Sequence, residues 1–361
     1  MKQNINIIEP TLSGEAGHCQ SFVASLCGSA GQKEVRFTLW GGRAASLPAM
    51  PGADISLKRH FFRKIRRFQE FFLLRRLLAR GERIFISTAG RVDLVLLNLA
   101  AAGSIPPQRV FCFFHWMRPS PKKLAYFRKI AQRHPELVIM GPTASVVDVF
   151  RECGFRHCSV VPYPITPRDS RELPAQPFRH LLFAGAARAD KGFHHVVDLL
   201  ALLAERHQSV PVALQTSGDH YDRHDPDTGK ALQKLSTIGY PELTLTPQTL
   251  SSEEYFAMFS GAICLQPYNP ADFADRISGI TLDGLSMGAP VVTLAGTWMA
   301  RVVERFEAGV VVDSPAPEAL LEASLRIRDD YPRYQSNARR AGLSLQQEHS
   351  AGHLLELISA G

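Results

Sequence analysis

The chain has 361 residues, 45% of them hydrophobic and 21% charged, which is enough apolar material for one or two cores and argues against disorder. Its net charge is +7, and its six cysteines are scattered without a Cys-x-x-Cys pair, a pattern that points away from zinc and redox centres and toward buried thiols. No apolar run is long enough to span a bilayer and Met1 leads directly into a first strand, so a cytosolic chain without signal or anchor is expected.

Residues 4–8 read as that strand, and the loop 11–18 follows it. Gly14 and Gly17 let the backbone of this loop approach a ligand closely, and His18 stands at the start of a helix over 19–27. The glycines do not match the dinucleotide-binding pattern, and His18 serves equally well as a helix cap. Strand-like runs recur at 35–40, 83–87, 110–114, 137–140 and 159–161, with helical patterns between most of them, including 121–133 and 144–153. Such alternation predicts a mostly parallel sheet covered on both faces. His115 directly follows the apolar strand 110–114, a place where a lone histidine is more often structural than chemical.

Charge is unevenly spread. Between residues 56 and 83 stand ten basic residues and two acids, Glu70 and Glu82. Leu57, Phe61, Ile65, Phe68 and Phe72 recur there at steps of three or four, which predicts a basic amphipathic helix with Arg63, Arg66, Arg67 and Glu70 on its other side. Two readings fit this stretch equally: contact with an anionic membrane surface, or a surface helix whose apolar side enters the core. Nucleic acid also attracts basic charge, but no recognised nucleic-acid motif accompanies it, and no nucleic-acid partner is expected.

Five prolines between 162 and 178, without apolar periodicity, mark a linker. Alternation then restarts, with strands at 180–184, 210–216, 243–246, 262–266, 291–294 and 309–312, helices at 192–207 and 252–260, and amphipathic helices from 317 onward. The expected fold is α/β with two Rossmann-like domains, 1–165 and 178–340, and a C-terminal helix in 341–361 that packs back toward the first. Residues 217–230 read as a polar loop. Asp225-Pro226-Asp227 lies within it without supporting context for a metal, and no metal requirement is expected.

Two segments of the second half carry chemistry. In 185–192, Arg188 and Lys191 flank a turn at the end of a strand, placed to hold a diphosphate by charge-assisted hydrogen bonds. In 274–292, Asp275 and Asp283, separated by seven residues, bracket a Ser278-Gly279 turn that opens a helix, and Gly288-Ala289-Pro290-Val291-Val292 follows. The N–H groups at Ser278 and Gly279 favour an anion, and both carboxylates can face one ligand. A sugar nucleotide has the matching parts, a diphosphate for the N–H groups and hydroxyl donors for the acids. Tyr268 and Arg276 are candidates to line the same pocket, each with an ordinary packing or salt-bridge alternative.

On these residues the chain resembles the large family of retaining, GT-B-fold glycosyltransferases that use nucleotide-sugar donors (group 1, or family 4-like), whose hallmark is Glu, seven residues, Glu, then a small-residue helix ending in Gly-x-Pro-Val. Here Asp275 and Asp283 stand where the family usually has glutamates, each shorter by one methylene, which bears on the identity of the sugar more than on the reaction class. The resemblance implies two Rossmann-like domains with parallel sheets facing across a cleft. It assigns Asp275 to the donor-sugar hydroxyls, Asp283 to the ribose, Arg188 and Lys191 to the diphosphate and leaving group, and the loop of Gly14, Gly17 and His18 to the neighbourhood of the donor phosphates and the acceptor. His115 falls where the family often has a histidine near the anomeric carbon. The implied partners are a nucleotide-sugar donor and a glycan or lipid-linked acceptor, as in polysaccharide biosynthesis, with no further cofactor; a basic helix on lipid would make the enzyme peripheral to a membrane. In retaining transfer of this type the leaving phosphate itself can accept the acceptor's proton. Three alternatives stand beside this reading: a nucleotide-sugar epimerase on the same plan, an exported ligand-binding module, and a catalytically silent glycosyltransferase-like partner, the last because both glutamates are replaced.

Overall fold

The structure is a computed structural model and describes residues 2–12, 18–31, 34–165, 174–218, 224–248 and 250–360, with the side chain of His18 outside that set. The chain divides into two compact units, one made of Met1–Pro167 with Glu348–Gly361 and the other of Arg168–Gln347.

In the first unit, β1 (Gln3–Glu9), α1 (His18–Gly28), β2 (Val35–Gly42), β3 (Asp54–Phe61), α2 (Arg66–Ala79), β4 (Arg83–Ile86), α3 (Arg91–Ala100), β5 (Val110–Phe113), α4 (Pro121–Arg133), β6 (Val138–Gly141), α5 (Ala144–Arg151) and β7 (His157–Val160) follow one another. The seven strands form one parallel sheet in the order β3-β2-β1-β4-β5-β6-β7. Both faces are covered, which is why β4 (RIFI) and β5 (VFCF) are buried at every position. Ile84, Ile86, Cys112 and Phe114 face the core beneath α2 to α5, while Phe85, Phe111 and Phe113 face the opposite core with Phe22, Val23 and Leu26 of α1.

The second unit contains β8 (His180–Phe183), a 3-10 turn (Ala189–Lys191), α6 (Phe193–Glu205), β9 (Val212–Gln215), α7 (Pro226–Leu235), β10 (Leu243–Thr246), α8 (Ser252–Ala257), β11 (Ala262–Gln266), α9 (Pro270–Phe273), α10 (Gly279–Ser286), β12 (Val291–Leu294), α11 (Trp298–Phe306), β13 (Gly309–Val312), α12 (Pro317–Asp329) and α13 (Tyr331–Glu348). Its six parallel strands run β10-β9-β8-β11-β12-β13. The final helix α14 (Gly352–Ser359) belongs to the first unit, where Leu354, Leu355 and Ile358 join the α1 core and the Ile358 carbonyl accepts from the Arg83 guanidinium at 3.0 Å. Each sheet reverses its strand order once, at β1/β4 and at β8/β11. Loops leaving the C-terminal ends of strands at such a point border the crevice where open α/β sheets bind ligands. Among the described residues no helix is long and apolar enough to cross a membrane.

Three local expectations are corrected. The basic stretch 56–83 is not one helix: 56–61 belongs to β3 at the sheet edge, and the helix begins at Arg66. Lys58 and Arg59 are exposed edge-strand charges, which discourage pairing with another chain, and strand alternation up to buried Phe61 imitated a helical period. Arg83 is buried at the start of β4 rather than displayed with the other cations. The supposed polar loop 217–230 is helical from Pro226, because Asp225 caps α7 by accepting from the Thr228 N–H at 2.9 Å and proline suits the first helical turn.

The inward face of α2 contains a buried acid. Glu70 is fully buried beside Leu73, Leu74 and Leu77, and Arg67 donates both to Glu70 Oε2 (2.8 Å) and to Asp93 Oδ1 (2.7 Å). Glu70 Oε1 has no donor to accept from, and burial with the adjacent Asp93 carboxylate pushes Glu70 well above the ordinary carboxyl range despite Arg67. A raised carboxyl pKa means the fold favours the protonated acid, so stability falls as pH rises from about 4.5. Glu70→Gln, which mimics the protonated form, should therefore raise the melting temperature above wild type by a margin that grows from acidic to alkaline pH. Equal margins at both ends would contradict this.

Candidate active site

β8 delivers the chain to the switch point of the second sheet. Leu181, Leu182 and Phe183 are buried, and the backbone then turns at Gly185, whose φ of +84° is a left-handed value that glycine adopts readily. A Cβ on Gly185 would lie 2.4 Å from Ile280 Cδ1 and 3.1 Å from Lys191 Nζ, so this glycine is the contact between the lysine and the first turn of α10. Its N–H donates to Gln215 Oε1 at 2.5 Å. Gly192 closes the turn at φ +68°, and a Cβ there would approach the Pro267 carbonyl oxygen to 2.0 Å.

Two other loops, β9–α7 and the one after β11, hold this turn in place at three points. Ala187 N–H donates to the Ser217 carbonyl (3.0 Å), Ala189 N–H to Asp225 Oδ2 (3.2 Å), and Asn269 N–H to the Asp190 carbonyl (3.0 Å). Asp225 thus caps α7 and anchors the turn at once. Partial burial would raise its pKa, but the donors from Thr228 and Ala189 outweigh that and hold it below the ordinary carboxylate range. Gly192→Ala is expected to cost roughly 3 kcal/mol, from backbone strain and the clash with Pro267. Gly229→Ala, in open space within α7, should be neutral or stabilising. Chemical denaturation of both variants tests the contrast, and similar stabilities would reject it.

The cations of the turn converge on one acid. Arg188 grips Asp190 with two nitrogens, Nε at 2.9 Å and Nη2, and Arg276 Nη1 reaches the same carboxylate at 3.4 Å. Lys191 lies 5.9 Å from the centre of the Tyr268 ring. Burial, reinforced by Arg188 and Arg276 and opposed by Asp190, pushes its pKa down to about 7. Tyr268 is itself buried and tilted against Phe273 at 4.7 Å, in a small core with Met299. Arg188, Lys191, Tyr268 and Arg276 are therefore brought together as one cluster.

The Ser278 side chain caps α10 by accepting from Thr281 N–H at 3.2 Å. No acceptor among the described residues is paired with the N–H groups of Gly279 or Ile280, which remain open at the helix start. The helix is clamped, which is why even Thr281 and Ser286 are buried: Gly284 abuts Phe259 and Cys264, and Gly342 lets α13 approach the Leu285 carbonyl, where a Cβ would come within 2.5 Å.

The two aspartates have separate partners. Asp275 Oδ1 accepts from Arg301 Nη2 at 2.6 Å, with the two side chains 43% and 54% exposed. Asp283 Oδ2 accepts from the Tyr255 hydroxyl at 3.1 Å. Burial and Asp283 push the tyrosine well above its usual range, so it stays a donor.

In the first unit, His115 follows β5 and leans on Ser87 at the end of β4, next to the β1/β4 switch point. Its Nε2 lies 2.8 Å from the Ser87 carbonyl, to which it donates, and 3.4 Å from Thr88 Oγ1, and the ring packs among Phe22, Phe113 and Tyr163. Beside it, the fully buried carboxylate of Glu9, at the end of β1, accepts from Ser87 Oγ (2.7 Å), Thr88 Oγ1 (2.5 Å), Thr11 N–H (3.2 Å) and Thr11 Oγ1. Cys19 is next to this group, and burial together with Glu9 pushes its thiol up to about 12. Gly14 and Gly17 lie outside the described residues; His18 opens α1, its side chain likewise outside them. Among the described residues no cluster of three or more His, Cys, Asp or Glu could hold a metal ion.

Sequence reasoning missed Asp190, Gln215, Arg301 and Glu9, and it weighed Asp225 only as part of an unsupported metal motif. Only Glu9 left a readable signal, a charge at the end of an otherwise apolar first strand. The others depend on chain crossings that separate them from their partners or on a turn whose geometry spacing does not reveal.

No family model matches the sequence, and no curated protein matches it. Solved structures do. One is HepE of Anabaena in complex with UDP and glucose, which is 13% identical with a TM-score of 0.67 over 99% of this chain and 98% of that chain. A structure of trehalose-6-phosphate synthase, described in terms of glycosyltransfer with retention, is 12% identical at TM-score 0.65, covering 98% and 97%. WaaG, a glycosyltransferase of lipopolysaccharide biosynthesis, is 14% identical at 0.64, covering 99% and 100%. The fold is GT-B. In GT-B terms the first unit is the N-terminal Rossmann-like domain completed by α14, and the second is the C-terminal one, which contains the Arg188–Arg276 cluster and the open start of α10.

Proposed function

We propose that this GT-B protein is a retaining glycosyltransferase that moves a sugar from a nucleotide-diphosphate donor to a hydroxyl of a glycan or lipid-linked glycan without a metal. The observation that carries this reading is the convergence of Arg188, Lys191 and Arg276 at the second switch point, in contact through Gly185 with a helix start whose N–H groups are open. Cations and N–H groups together suit a diphosphate. Asp275 takes the sugar hydroxyls and Asp283 the ribose. His115, whose ring orientation is set by the Ser87 carbonyl, is assigned to the donor sugar.

In the proposed reaction the bond between the anomeric carbon and the diphosphate oxygen breaks, and the acceptor oxygen bonds to the same face of that carbon. The acceptor's proton passes to the departing phosphate oxygen. Arg188 and Lys191 stabilise the charge that grows there, the kind of assistance that is strongest in the transition state. HepE, crystallised with UDP and glucose, supports a uridine donor as the first probe; the trehalose-6-phosphate synthase supports retention, and WaaG supports a glycan or lipid-linked acceptor.

A thermal-shift panel of nucleoside diphosphates and nucleotide sugars in chelator should raise the melting temperature with at least one of them, by about 3 kcal/mol of stabilisation at a hundredfold excess over Kd. Product analysis with that donor should show a retained glycoside when an acceptor is supplied. A donor converted alone to its epimer, or a strict requirement for divalent cations, overturns the proposal, as does a panel without any shift.

A further inference from the structure

Four large apolar side chains, Phe62 (47% exposed), Ile65 (50%), Phe68 (72%) and Phe72 (65%), project to solvent within one short segment running into α2. They follow the helical period at 65, 68 and 72, with Phe62 one turn earlier, where the Ile65 N–H donates to its carbonyl at 3.1 Å. The opposite face of α2, with Glu70, Leu73, Leu74 and Leu77, is already buried, so the exposed row is not needed to close the core. Around it stand the exposed cations Arg63, Lys64, Arg75, Arg76 and Arg80. The single acid between 62 and 81 is Glu70, which lies inside and is shared with Arg67 and Asp93.

We infer that this row is a docking surface for a lipid bilayer carrying anionic headgroups, with Phe68 and Phe72 entering the acyl boundary and the surrounding cations meeting the phosphates. Aromatic side chains on one face and a rim in which cations outnumber acids, Arg80 being paired to Glu82 at 3.9 Å, are what interfacial binding uses. A second copy of this chain is a poor occupant, since a symmetric contact would bring like charges together. The inference does not depend on the transferase reading.

The test is flotation of the full chain with vesicles of phosphatidylcholine alone and of phosphatidylcholine mixed with phosphatidylglycerol. Wild type should float with the anionic vesicles and much less with the neutral ones, and salt should release it. Phe68→Ser/Phe72→Ser should weaken binding by about tenfold or more by removing apolar insertion. Lys64→Glu/Arg75→Glu should weaken it by roughly ten- to a hundredfold, given the worth of each basic residue near an anionic surface. Because these side chains are exposed, thermal unfolding should be unchanged in both variants. Failure of wild type to float with anionic vesicles, or flotation unaffected by both pairs of substitutions, overturns the inference. So does a wild-type dimer that Phe68→Ser/Phe72→Ser makes monomeric without any effect of vesicles.

Discussion

Asp275→Ala should leave the protein folded and lower kcat/KM for sugar transfer by about three orders of magnitude. The two halves of this expectation have different origins. Among the described residues the Asp275 carboxylate hydrogen-bonds to Arg301, and both side chains are about half exposed, so in fold stability the pair is worth roughly 0–1 kcal/mol. The catalytic loss comes from the hydroxyls of the donor sugar, which the carboxylate is proposed to orient. Arg301→Ala removes the same ion pair without removing the carboxylate, and it should match Asp275→Ala in melting temperature while retaining transfer. If Asp275→Ala turns over at a near-normal rate, the assignment of this residue is wrong; if Arg301→Ala is equally inactive, the ion pair rather than the acid is what matters.

The second large effect concerns Lys191. In the free protein its pKa is about 7, lowered first by burial and then by Arg188 and Arg276. A bound diphosphate favours the charged amine and raises that value. Below about pH 7 the amine is already protonated, so donor affinity should be flat. Above it, binding must take up a proton, and affinity should fall by up to about tenfold per pH unit until the pKa of the complex is passed. A nucleotide sugar is the right titrant, because its diphosphate has no proton of its own to exchange near neutrality. Lys191→Met should lower affinity by about a hundredfold at mildly acidic pH and flatten the profile. Lys191→Arg, which stays charged throughout, should flatten it with a smaller loss. Without ligand the sign reverses: a depressed lysine pKa means that stability is lost as pH falls from about 10.5 to about 7 and levels off below, so Lys191→Met should melt higher than wild type in acid while binding donor worse. A wild-type profile without slope between neutral and alkaline pH would remove Lys191 from the diphosphate.

The alternation of strands and helices was legible because parallel strands buried on both faces must be apolar throughout, as Val110–Phe113 and Val291–Leu294 are. The cation turn and the start of α10 were legible too, since local rules place them: Ser278 is a helix cap, and Arg188 and Lys191 sit one turn apart. The edge strand Asp54–Phe61 was not. Its charges read as helical because an edge strand tolerates Lys58 and Arg59 outside, and the step from Phe61 to Ile65 continues a helical period by coincidence. The partners of the site residues were equally hidden. Asp190 lies inside the turn, but that it binds both Arg188 and Arg276 depends on β11 lying beside β8, a pairing made across about eighty residues of sequence. Arg301 on α11 reaches Asp275 only because α11 follows β12 in the sheet order.

Glu9 narrows the choice of proton acceptor. Its two carboxyl oxygens already accept from Ser87, Thr88 and the amide and hydroxyl of Thr11. A general base needs a vacancy, and this acid has none to give without breaking a bond it already holds. It can brace the wall behind His115, but in the proposed transfer the acceptor's hydrogen must go to some other atom.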